Sequence, residues 1–166
     1  MSKRHPRKPR WLPTPDTLAL ALHHAAKPPA ADIQDLLHTL QDAHRAMREG
    51  VATSRHWAIL AGALSAAQAI ERRGIVRGLS GHLDTATTAL DAIYLRAMKT
   101  GTWRATALRY DELDAIATLV ELHTYQIRQL GRAELLAAIS SAANKIRSNG
   151  DTVTLSQTPN LERLAA

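Results

Sequence analysis

Small and apolar residues recur at helical spacing along most of this chain, and they are densest between Thr53 and Met98. Trp57, Leu60, Ala61 and Leu64 form one stripe, while Ile59, Ala63, Ala66 and Ile70 form a second, so the segment before Gly74 is apolar on two sides. A helix of that kind needs neighbours all round and belongs in the middle of a bundle. After Gly74 a stripe of Val76, Leu79, Leu83, Ala86, Leu90, Ile93 and Ala97 has the spacing suited to antiparallel packing against the preceding helix. Gly78 and Gly81 interrupt its start and are read as points of close backbone contact, with a helix start at Ser80 as the alternative.

The flanking segments follow the same logic. Thr14 or Asp16 caps a short helix through Leu18, Leu22 and Ala25, and Lys27 with Pro28 and Pro29 ends it. Ile33, Leu36, Leu37, Leu40, Ala43 and Met47 then mark the inner face of an amphipathic helix whose outer face carries Gln34, Asp35, Gln41, Asp42, Arg45 and Arg48. Gly50 suits its left-handed C-terminal position, and Thr53 or Ser54 caps the central helix. Residues Lys99 to Arg109 read as a loop around Gly101, Thr102 and Trp103. A long helix follows through Leu113, Ile116, Val120, His123, Ile127 and Leu130. Gly131 ends or bends it, and Leu135, Leu136, Ile139, Ala143 and Ile146 define a final helix that stops at Asn149-Gly150.

The predicted fold is an all-α antiparallel helical bundle of about five to six helices in residues 16–150. A flexible basic arm (1–15) precedes it and a loose C-terminal tail (151–166) follows. The expected core includes Trp57, Leu60, Leu64, Leu83, Leu90, Ile93, Ile116, Val120 and Ile127.

Composition sharpens this reading. The 45% apolar content comes mainly from Ala, Leu and Ile with no Phe, which favours closely approaching helices over a sheet. The net charge of +6 is local: Lys3, Arg4, Arg7, Lys8 and Arg10 supply five of the 21 basic groups, leaving 16 against 15 acidic ones in the rest of the chain. Basicity therefore belongs to the arm, where Pro6, Pro9, Pro13 and Pro15 oppose a helix, and a solvated basic arm tethers anionic partners. The absence of Cys excludes disulfides, thiolate metal sites and a cysteine nucleophile. The longest apolar stretch, Trp57 to Leu64, is far short of the roughly 20 residues needed to span a bilayer, and the expectation is a cytoplasmic protein with no membrane partner.

No catalytic, nucleotide or metal motif is present, and no cofactor is expected. The histidines show neither His-x-x-x-His nor His-Glu-x-x-His. His38 and Asp42 sit one turn apart on a helix surface, and His123 falls in an apolar stripe, as a core histidine does. Asp111, Glu112 and Asp114 occupy a first helical turn, where the macrodipole already favours acids. Arg72, Arg73 and Arg77 beside Gly74 and Gly78 are either a phosphate cradle or complements to a helix C-terminus. Trp103, Arg104, Arg109 and Tyr110 are residue types enriched at binding hot spots, gathered around a connection, and they form the expected partner-binding group. The competing reading is that Trp103 staples the loop to the core.

Four segments carry a resemblance: Val51-Ala52-Thr53, Gln68-Ala69-Ile70-Glu71-Arg72, Tyr110-Asp111-Glu112-Leu113-Asp114-Ala115 and Gln126-Ile127-Arg128-Gln129-Leu130. They resemble small helical proteins encoded in proteobacterial phages and prophages, over about residues 40–150. The resemblance implies a phage-related context and supplies no functional residues. The expected function is a non-enzymatic interaction protein that binds, and inhibits or regulates, a host or phage protein, host defence included. A homo-oligomer is compatible with this. The alternative is a nucleic-acid-binding regulator acting through Lys3, Arg4, Arg7, Lys8 and Arg10.

Overall fold

The computed structural model describes residues 26–148. Within them run α1 (Ala30–Arg48), α2 (Ser54–Arg72), α3 (Ser80–Ala97), α4 (Tyr110–Gln129) and α5 (Arg132–Ser148), with no strand among the described residues. The basic arm, the short helix through Leu18 and Leu22, the side chain of Ile146 and the tail lie outside them.

The central position of α2 follows from its two apolar stripes. From His56 to Glu71 no residue is exposed, and α2 packs against each of α1, α3, α4 and α5. Its small residues allow this: Ala66, Ala67 and Ala69 are buried and let neighbouring backbones approach. The first turn of α2 is closed locally, since His56 Nδ1 accepts the Thr53 N–H at 3.2 Å. Polar contacts fix the direction of α3 against it. Trp57 near the start of α2 donates Nε1–H to the Leu90 carbonyl (2.9 Å), whereas Glu71 at its end reaches the start of α3. The two helices are therefore antiparallel, as the spacing predicts.

The apolar interior has two parts. A larger cluster joins α1–α4 through Leu40, Met47, Leu60, Leu64, Leu83, Leu90, Ile93, Ile116 and Leu119. A smaller one gathers Leu37, Ile70, Ile127, Leu130, Leu135 and Ala138 around the C-terminal end of α2. Of the expected core, eight residues are buried, and Trp57 is only half-buried because its indole sits at the rim with its N–H turned to a backbone carbonyl.

The glycines correct one expectation. Gly78 precedes α3 instead of interrupting it, has φ +87°, and a Cβ there would meet nothing within 4 Å. Gly81 has open space too, so neither marks close backbone contact. Gly78 is required for the left-handed turn that leads into a helix starting at Ser80. Gly50, with φ +70°, ends α1 as its spacing predicts.

Candidate interaction face

The N-terminal end of α2, the C-terminal end of α3 and the connection 98–109 meet in an aromatic cluster. The Trp57 ring lies 4.7 Å from Tyr94, and Trp103 is 6.4 Å from each of them, all tilted, within the range where aromatic pairs attract. Trp103 is anchored at its polar edge, where Nε1–H donates to the Ala52 carbonyl at 2.8 Å. The connection is pinned again one residue on, by the Arg104 N–H to the Ala97 carbonyl at 2.9 Å. Trp103 thus does staple the loop, yet its ring and those of Trp57 and Tyr94 remain partly open to solvent.

Close in sequence to the residues of this cluster, the bundle leaves large apolar side chains unburied. Val51 is 62% exposed, Leu95 71% and Tyr110 86%. Tyr125, also exposed, stands apart, well along α4. Arg104 and Arg109 are exposed as well. The expected partner-binding residues are therefore distributed as a half-buried anchor, Trp103, flanked by three exposed side chains. Sequence spacing missed Tyr94 and Leu95, which lie off the inner stripe of α3; a Tyr-Leu pair on a polar helix face is the signal that points to them.

Beneath the face an ion pair holds α3 to α4. Arg96 Nη1 and Nη2 each donate to Glu112, at 2.5 Å, and Glu112 also accepts the Arg109 N–H at 2.9 Å. Glu112 is buried, unlike its neighbour Asp111, so it is more than a first-turn acid favoured by the macrodipole. Burial pushes its carboxyl pKa upward, but the hydrogen bonds from Arg96 and Arg109 outweigh this and hold it below the ordinary value. The same hydrogen bond raises the Arg96 pKa.

At the opposite end of α2 the polar groups are closed among themselves. Glu71 Oε1 accepts the N–H groups of Leu79 and Ser80, both at 2.8 Å. Those amides are the ones a phosphate would take at the start of α3, so a carboxylate already fills the candidate cradle. Arg77 Nε instead donates to the Gly74 carbonyl at 3.2 Å. Lys27 Nζ lies 3.1, 2.7 and 3.4 Å from the carbonyls of Arg128, Gln129 and Leu130 and caps the C-terminus of α4. α4 ends at Gln129, just before Gly131, and does not bend there; Gly131 precedes α5 and its N–H donates to Glu134 at 2.8 Å.

His123 is a satisfied core histidine. Its Nδ1 faces Gln126 Oε1 at 3.2 Å, and since that oxygen only accepts, Nδ1 carries the proton. Gln126 passes the chain on by donating Nε2–H to the Ala67 carbonyl. Burial, opposed by the Gln126 bond, lowers the His123 pKa to about 4. His38 and Asp42 form an exposed pair at 2.9 Å, with Arg45 on the same carboxylate. Among the described residues no three His, Asp or Glu side chains are grouped to hold a metal ion, and no helix is long and apolar enough to cross a membrane. The chain matches no family model, no curated protein and no solved structure.

Proposed function

We propose that the protein acts without catalysis, as a helical interaction module that binds another protein through the aromatic end of the bundle. The observation that carries this is the half-open Trp57–Tyr94–Trp103 cluster, with Val51, Leu95 and Tyr110 exposed on or next to the segments that build it. Aromatic side chains with Arg at the rim are the groups that anchor interfaces, and apolar surface gathered at one place marks such a contact. The resemblance to phage-encoded helical proteins adds that the partner is a host or phage protein, inhibited or regulated by the contact.

The test uses the full chain and a Leu95→Ser/Tyr110→Ser variant in stoichiometric capture, with melting measured on the same samples. A partner held by the wild type and lost by the variant at unchanged Tm supports the reading. Equal capture by both removes it. Trp103→Ala separates anchoring from contact: because its ring is half-buried, it lowers stability by about 2 kcal/mol whatever the partner does.

A second reading rests on the five basic groups in residues 1–10 beside a nearly neutral remainder. Duplex DNA binding with a steep salt dependence, abolished by removing residues 1–10, would favour a nucleic-acid-binding regulator.

A further inference from the structure

The connection that carries Trp103 is cationic. Lys99, Arg104 and Arg109 fall between Met98 and Tyr110, and no acid does. All three residues are exposed. Arg96, the remaining cation at this end of α3, is already committed to Glu112, whose carboxylate also attracts Arg109, so Lys99 and Arg104 are the cations an approaching partner meets. Exposed acids stand outside the connection: Glu49 after α1, Asp91 on α3, and Asp111 and Asp114 on α4.

We infer that the occupant of the aromatic face is a protein segment in which carboxylates flank an apolar side chain: the apolar group contacts Leu95, Tyr94 and Trp103, and the carboxylates pair with Lys99 and Arg104. This rests on the interaction reading above and names its partner's chemistry. An exposed apolar patch supplies area but little selectivity, whereas the cations on the connection itself disfavour cationic partners and speed the encounter with anionic ones. Guanidinium groups take carboxylates in a planar two-pronged bond that ammonium groups do not offer, so Arg104 fixes orientation as well as charge. The Trp103 anchoring bonds to Ala52 and from Arg104 N–H to Ala97 hold the backbone of the connection in place, which lowers the ordering cost of binding.

The test titrates the full chain with a synthetic peptide of repeating Glu-Leu-Glu units and with its Gln-Leu-Gln counterpart, followed by calorimetry and tryptophan fluorescence. The acidic peptide is expected to bind about tenfold or more tightly than the neutral one. A Lys99→Glu/Arg104→Glu variant is expected to lose that preference at unchanged Tm, while Leu95→Ser/Tyr110→Ser weakens both peptides. Retained preference in the charge-reversed variant would place the acidic peptide on the N-terminal arm and overturn the inference. Equal binding of the two peptides by the wild type overturns it as well, and so does tighter binding of a single-stranded oligonucleotide that the charge reversal abolishes, which would make the face a nucleic-acid site. If the charge preference fails but Leu95→Ser/Tyr110→Ser still releases a captured partner, the interaction face stands and only its acidic occupant falls.

Discussion

The two ends of α2 are built from the same helix but solve opposite problems. At its C-terminal end Ile70 joins Leu37, Ile127, Leu130, Leu135 and Ala138 in an aliphatic cluster. Around that cluster helix termini are met by side chains, Glu71 of α2 on the start of α3, Lys27 on the end of α4, and α5's own Glu134 on its start. At its N-terminal end three aromatic rings meet at the rim, and Val51, Leu95 and Tyr110 stay in solvent. Cations are exposed at both ends, Arg72, Arg73 and Arg77 at the one and Lys99 and Arg104 at the other, but only the N-terminal end keeps large apolar groups facing outward as well. That contrast supports the proposed interaction face better than residue type does, because Trp and Arg occur at both structural and binding positions.

The contrast predicts a gradient of mutational effects. Ile70→Ala, at a fully buried site, should cost about 2–5 kcal/mol in chemical denaturation, the range for truncating a packed aliphatic side chain. A loss under about 1 kcal/mol would mean the second cluster collapses around the gap, against the packing described above.

Acid should act next, and through His123. Its pKa is lowered in the folded state, so the unfolded chain binds the proton first; stability is complete above the unfolded value near 6.5 and is lost as pH falls toward about 4. The difference corresponds to roughly 3 kcal/mol. Burial lowers the His44 pKa as well, with Arg48 adding to it, so a second and smaller loss has the same sign. Glu112, held below its ordinary value, contributes stability present above the unfolded carboxylate pKa that disappears at still lower pH. Melting curves from pH 7 to about 4 should therefore fall for the wild type and flatten for His123→Gln; parallel curves would show that His123 does not control the acid response.

Glu71→Ala should cost about 1 kcal/mol, since it frees the Leu79 and Ser80 amides, one of them on an exposed residue that water can serve. A change near zero would show that solvent caps α3 equally well. The smallest effect on folding belongs to Leu95→Ser, within about 0.5 kcal/mol as expected for an exposed position, and it should carry the largest effect on partner binding. A marked drop in Tm would mean that Leu95 packs in solution and would weaken the comparison.

The sequence by itself determined the helices, their approximate ends and the rank of α2 as the central one, because each depends on residues three or four positions apart on one segment. Gly50 as a left-handed terminus, Thr53 as a cap, and His123 among apolar neighbours are of this kind. Only the tertiary structure decided which helix faces were joined and which were left open. Arg96 meets Glu112, Glu71 caps a helix eight residues away, and Lys27 closes one about a hundred residues away. None of these pairs leaves a periodic trace. Gly78 shows the same limit, since a glycine read as a contact point is instead a left-handed turn whose need arises from how α2 and α3 are connected. Helical periodicity reports the face of one segment, whereas a pairing between segments depends on their relative rotation and register, and those are fixed only when all the faces pack together.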